Sequence, residues 1–161
     1  MADTSPVVLF DLDGVFCDST RECYSIALAA RALIDGTDYS HEIAGELKDG
    51  DALLEFFRSH RPYIRWPREY WLLLETFRTG DGVVTLTQRD FDDFEEAGDP
   101  GALAFQQAFF DVRDDLRTNR YDAWIDLFDA YSSVVEEGRV VMEHVPFRIL
   151  TGRDGSSVGA F

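Results

Sequence analysis

Lysine is almost missing from this chain. Of its 15 Lys and Arg residues only Lys48 is a lysine, and 31 Asp and Glu bring the formal net charge to −16. A field of that sign repels polyanions, so nucleic acid and anionic membranes are not expected as partners. The acidity has two readings that composition leaves open: a solvated surface suited to high salt, where ions screen the self-repulsion, or arginine-favouring, GC-rich coding. Cysteine is scarce too. Cys17 and Cys23 cannot build a disulfide framework, and with His41, His60 and His144 they form no cluster of zinc spacing. Long apolar runs are also missing: none approaches the roughly 18 residues of a membrane span. The start of the chain has no basic stretch followed by an apolar segment and a cleavage site. These absences lead to the expectation of a cytoplasmic protein with reduced thiols, neither exported nor membrane-spanning.

What is present is enough apolar material for a core. The chain has 161 residues, 45% hydrophobic and 14% aromatic, which offsets chain entropy for one domain with a small insertion. The run from Pro6 to Phe10 is apolar and β-branched at Val7 and Val8, and it reads as a buried parallel strand. Thr20 to Leu33 places Ile26, Ala27, Ala30 and Leu33 at helical spacing, with Asp18 or Ser19 to cap it and Gly36 to stop it. Further helices are expected in "HEIAGELKDGDALLEFFRSH", "PREYWLLLETFRT", "TQRDFDDFEEA", "PGALAFQQAFFDVRDDLRT" and "YDAWIDLFDAYSSVVEEGRVVMEHV". Gly80 to Gly82 and Gly98 to Gly101 separate them, and Pro67 and Pro100 sit where a first helical turn tolerates proline. Near the end, Phe147 to Leu150 is a second apolar run that closes on Thr151 and Gly152. Between the two strands only Val83 to Thr87 carries a strand signal, so a helical module is inserted between core strands.

Two carboxylates, Asp11 and Asp13, close the first strand and Gly14 follows. A carboxylate at a strand's C-terminal end faces the crevice in which open α/β sheets bind ligands. One such group can act as a nucleophile and a second can give or take a proton. Held close together they call for a cation, and Mg²⁺ takes oxygen ligands including phosphate oxygens. A glycine beside them lets backbone N–H groups turn toward an anion. A calcium loop is the competing reading. Glu22 stands at the twelfth position from Asp11, but Val15 stands where an oxygen ligand is wanted.

The stretch "VVLFDLDGVFCDS" resembles the first motif of the haloacid dehalogenase superfamily of phosphohydrolases, with the strand, both aspartates, the glycine and Asp18-Ser19 all at the expected spacing. "FRILTGRD" resembles that superfamily's second motif. The resemblance implies an α/β fold, a partial Rossmann-like parallel sheet core formed by residues 1–19 and 144–161, with a large α-helical cap insertion at 20–143. It implies Mg²⁺-dependent hydrolysis of a small phosphorylated metabolite: Asp11 as the nucleophile that forms an aspartyl-phosphate, Asp13 as acid and base, and Thr151 as a hydrogen-bond donor to the phosphoryl group. Mg²⁺ would rest on the Asp11 carboxylate and the Asp13 main-chain carbonyl, and Gly14 and Gly152 would lie against the substrate.

Arginines cluster in "FFRSHRPYIRWPREYW". Arg58 and Arg61, with Arg65 and Arg68, are candidates to hold the anionic end of a substrate through forked hydrogen bonds. The bland alternative is ion pairing with the surplus acids, and it is favoured for any single arginine. Cys17 is expected to be a small buried thiol and His144 a surface residue.

The resemblance also implies a lysine and a further acidic pair beyond the second motif, and the ten residues after Thr151 hold neither. Weak Mg²⁺ binding and low or no turnover are therefore expected. Three explanations stay open: a shortened phosphatase, a half-site completed by another chain, or a non-catalytic binding module. In each, the edge of the first strand is a candidate for self-association.

Overall fold

The computed structural model describes residues 8–39, 51–80 and 85–149. In chain order these form β1 (Val8–Phe10), β2 (Cys17–Asp18), α1 (Thr20–Ile34), α2 (Ala52–His60), a 3-10 turn (Arg61–Tyr63), α3 (Glu69–Thr79), α4 (Gln88–Ala97), α5 (Pro100–Asn119), α6 (Tyr121–Ile125), β3 (Asp129–Ala130), α7 (Ser132–Met142) and β4 (Phe147–Ile149). The chain divides into two compact units, Met1–Ser19 with Asp126–Phe161, and Thr20–Ile125. The sequence placed the second boundary at 143/144. Residues 126–143 fall in the first of these units, where β3 pairs with β2 and the Tyr131 N–H donates to the Phe16 carbonyl at 2.9 Å.

The expected Rossmann-like parallel sheet core does not form. The described residues are mostly helical, and strand is confined to two small sheets. In one, β1 and β4 run parallel with Val8 opposite Phe147 and Phe10 opposite Ile149; in the other, β2 and β3 run antiparallel with Cys17 opposite Ala130. A parallel sheet is stable when helices cover both faces. Here the strand is three residues long and its central side chain, Leu9, is 61% exposed. The described segments between β1 and β4 carry apolar residues at helical spacing, and they supply helices where further strands would be needed.

The final long helical stretch is likewise divided. Its pattern breaks at Asp126 to Tyr131, where β3 stands between α6 and α7. Val83 and Val84, read as part of a strand, lie outside the described residues. Thr85 to Thr87 form no strand and lead into α4, whose start is held by Asp90 accepting both the N–H and the hydroxyl of Thr87 at 2.7 Å.

Within the helical unit, α1 lays Cys23, Ile26, Ala27 and Ala30 along one face, and α5 packs along it. The small alanines let the two backbones approach. Leu73, Phe105, Phe109, Val112, Leu116 and Trp124 fill the core. Phe57, Tyr70 and Phe109 form a stack, with centroids 5.4 and 5.6 Å apart and planes within 4° and 11°. Burial holds the Tyr70 hydroxyl well above the usual phenol range. Asp51 caps α2 through the Leu53 N–H at 2.9 Å, and its other oxygen accepts the Tyr24 hydroxyl at 2.8 Å, tying α2 to α1.

One ion pair lies inside this core. Glu22 is fully buried, and Arg113 donates to both of its oxygens, at 2.8 and 3.0 Å. The Trp124 indole N–H adds a third bond at 3.1 Å, and the Arg113 guanidinium lies 4.7 Å over the Phe109 ring. Removing one partner of such a pair strands the other charge. Arg113→Met is expected to cost about 3–5 kcal/mol in urea unfolding. Glu22→Leu with Arg113→Met should recover much of that, leaving a deficit of about 1–3 kcal/mol for the unpaired Trp124 indole.

Surface carboxyls supply a pH dependence. Glu75 is held below the ordinary carboxyl range by Arg78 first and then by Arg31, and Asp115 by Arg120 first and then by Asn119. A carboxyl whose folded value is depressed contributes stability that is complete above the unfolded value, about 4, and is lost as pH falls through the folded one. The urea midpoint of the full chain should therefore be level near neutrality and decline below about pH 4, and Asp115→Asn should make that decline shallower.

Candidate functional site

Directly after β1 the chain makes a tight turn over Asp11 to Phe16. Its centre is Leu12. The side chain is 2% exposed and lies in an apolar cluster with Phe16 and Cys17, flanked by Phe10, Val15, Phe128, Val135 and Met142. The Leu12 carbonyl accepts the N–H groups of Phe16 at 3.0 Å and of Cys17 at 3.4 Å. Beside buried Leu12, Asp11 is exposed and Asp13 half-buried. Neither aspartate belongs to the apolar cluster that Leu12 joins.

The Asp11 carboxylate is partly tied down. The Leu12 N–H donates to its Oδ1 at 2.7 Å, while Oδ2 accepts no hydrogen bond among the described residues. Gly14 has φ +78°, and nothing lies within 4 Å of where a Cβ would be. The glycine is thus required by the backbone angle and not by lack of space. Its N–H was expected to turn toward an anion. It donates instead to the Cys17 carbonyl at 2.7 Å.

β1 and β4 are in parallel register, so their C-terminal ends lie side by side. Thr151 and Gly152 follow β4 in sequence and lie outside the described residues. Arg58 and Arg61 belong to the helical unit. Arg58 is exposed and pairs with Glu55 one turn away, and the half-buried Arg61 opens the 3-10 turn. Arg65 donates to Glu69 and Asp92, and Arg68 to Glu95. Ion pairing thus engages Arg58, Arg65 and Arg68. Cys17 is buried with its Sγ 3.9 Å from the Leu12 carbonyl, and His144 is exposed.

No protein-family model, curated protein or solved structure matches the chain.

The calcium-loop alternative loses its last ligand, because Glu22 is buried against Arg113. Among the described residues no group of three or more His, Cys, Asp or Glu side chains could hold a metal ion. What the turn offers is the exposed carboxylate of Asp11 with half-buried Asp13 two residues on. That suits Mg²⁺, which keeps several waters and binds through one or two carboxylates and a substrate phosphate, and does not suit zinc or a calcium cage.

Two residues of the site escaped the sequence reading, Phe16 and Gly138. Gly138 on α7 is buried, and a Cβ built there would sit 2.9 Å from Phe16 Cε1. A glycine inside a helical pattern was the available signal.

Burial of Leu12 and the backbone angle of Gly14 make separate contributions. Leu12→Ala should lose about 2–5 kcal/mol through its cavity, and Gly14→Ala about 1–2 kcal/mol through the left-handed φ. Urea unfolding of each variant checks both.

Proposed function

We propose that the Asp11–Asp13 turn carries Mg²⁺-assisted hydrolysis of a phosphomonoester, on a small phosphorylated metabolite in the cytoplasm, by the chemistry of the haloacid dehalogenase superfamily whose first motif it resembles. The observation that supports this most is the pair of aspartates flanking buried Leu12, Asp11 exposed with one oxygen that accepts no hydrogen bond among the described residues, and Asp13 half-buried. The Asp11 oxygen attacks phosphorus, the bond to the leaving oxygen breaks, and Asp13 delivers its proton to that oxygen. Asp13 then takes a proton from water as the water oxygen attacks phosphorus, the Asp11–phosphorus bond breaks and phosphate leaves. The Asp11 carboxylate and the Asp13 main-chain carbonyl would hold Mg²⁺, whose positive charge would screen the anionic nucleophile from the anionic phosphate.

A second reading has its own observation. The N–H groups of Gly14, Phe16 and Cys17 are bonded within the turn, so they do not cradle a phosphate by themselves. That favours a half-site which needs donors from a partner chain, or a module that binds without turnover. Hydrolysis of p-nitrophenyl phosphate with Mg²⁺ separates the readings. Turnover that falls about a thousandfold or more in Asp11→Asn supports the nucleophile, and turnover unchanged in that variant overturns it. A fall of about 10²–10⁴-fold in Asp13→Asn supports the acid/base role. No turnover in the unaltered chain supports the second reading.

A further inference from the structure

We propose that Gly138 and Phe16 act as a positioning pair, through which α7 sets where Asp11 and Asp13 stand. This rests on the reading that the turn carries the chemistry. Glycine in the middle of a helix is less stable than alanine, so its presence in α7 calls for a cause. The cause is the Phe16 ring. A Cβ at position 138 would lie 2.9 Å from Phe16 Cε1 and 3.5 Å from Cζ, and 3.8 Å from the Met142 Cε. The ring has little freedom to retreat, since its other neighbours include Phe10, edge-on at 5.3 Å, and Leu12 in the same cluster.

Phe16 is in turn fastened to the peptide that joins the two aspartates. Its N–H donates to the Leu12 carbonyl at 3.0 Å, and its own carbonyl accepts the N–H of Tyr131, the residue that starts α7, at 2.9 Å. The helix therefore grips Phe16 twice, by backbone at Tyr131 and by ring at Gly138. Phe16 passes that position on to Leu12, and Leu12 to the carboxylates on either side. A displacement of the ring by a fraction of an ångström is transmitted through a packed cluster and a hydrogen bond to the groups that must line up with phosphorus.

The test uses the full chain with Gly138→Ala, Phe16→Leu and the two combined. Three quantities are read: thermal midpoint, hydrogen exchange at the Gly14 and Phe16 amides, and the kinetics of p-nitrophenyl phosphate hydrolysis with Mg²⁺. Helix propensity alone would make Gly138→Ala more stable. The positioning pair requires the reverse: a lower midpoint, exchange at Gly14 faster by about tenfold or more, and kcat lower by about ten- to a hundredfold with KM little changed. Making room with Phe16→Leu in the double variant should restore part of kcat and of the amide protection, a rescue that a general loss of stability would not give. Phe16→Leu alone empties the contact without crowding it, and should also speed exchange at Gly14, so the question is answered even if Gly138→Ala fails to fold. A higher midpoint in Gly138→Ala with unchanged Gly14 exchange overturns the proposal. If the unaltered chain does not turn over, the phosphatase reading fails while midpoint and exchange still decide the positioning. If it does turn over and Gly138→Ala leaves kcat and exchange unchanged, the positioning fails while the phosphatase reading stands.

Discussion

Leu12 has its side chain in an apolar cluster and its carbonyl occupied by the amides of the residues that follow, and these two facts together determine where Asp11 and Asp13 are. An apolar side chain between two carboxylates has one favourable direction, inward, and the two aspartates stay outside the cluster that it joins. Gly14 allows the chain to fold back beneath them at a backbone angle that other residues adopt at a cost. The site is thus a by-product of burying one leucine. The exposed charges need no burial of their own, and the desolvation cost that attends buried carboxylates does not arise at Asp11.

Glu22 shows the opposite use of the same chemistry. Its carboxylate is out of water and is balanced by a forked arginine and an indole N–H. A lysine in place of Arg113 could not span both oxygens and lie flat over the Phe109 ring. Arg31 repeats the pattern, 4.6 Å over the Trp71 ring and paired with Asp35 and Glu75. Arg31 and Arg113 thus each combine ion pairing with stacking on a ring, a task for which lysine is poorly shaped.

Local periodicity made much of the helical unit legible. The stretches read as helices over "TQRDFDDFEEA" and "PGALAFQQAFFDVRDDLRT" correspond to α4 and α5, and the apolar runs ending at Phe10 and beginning at Phe147 contain β1 and β4. What escaped the sequence depends on pairing between distant positions. Asp129 and Ala130 sit inside an amphipathic pattern and become strand only because Cys17 and Asp18 lie opposite. The Rossmann-like sheet was inferred from two motifs that each span one short strand, and motifs of that length carry no information about how many further strands will stand beside them. At the site, the exposure of Asp11 follows from its charge and from the burial of apolar Leu12 beside it. The inward turn of the Gly14 amide does not, since it depends on where the Cys17 carbonyl arrives. Arg58 and Arg61 were marked by their density in an acidic chain, but density does not reveal partners such as Glu55, which only the helical turn brings within reach.

The two strand pairs impose an order on folding. β1 with β4, and β2 with β3, join residues that lie on either side of the whole stretch Thr20–Ile125, whereas that stretch makes its own contacts within a continuous piece of chain. Closing so long a loop in a disordered chain is entropically costly, although the penalty grows slowly, by about 0.6 kcal/mol for each doubling of length. Contacts of low sequence separation also form sooner. The helices can therefore assemble first and shorten the distance that the ends must search. The carboxylate turn, which needs both ends of the chain, would be among the last parts to become ordered.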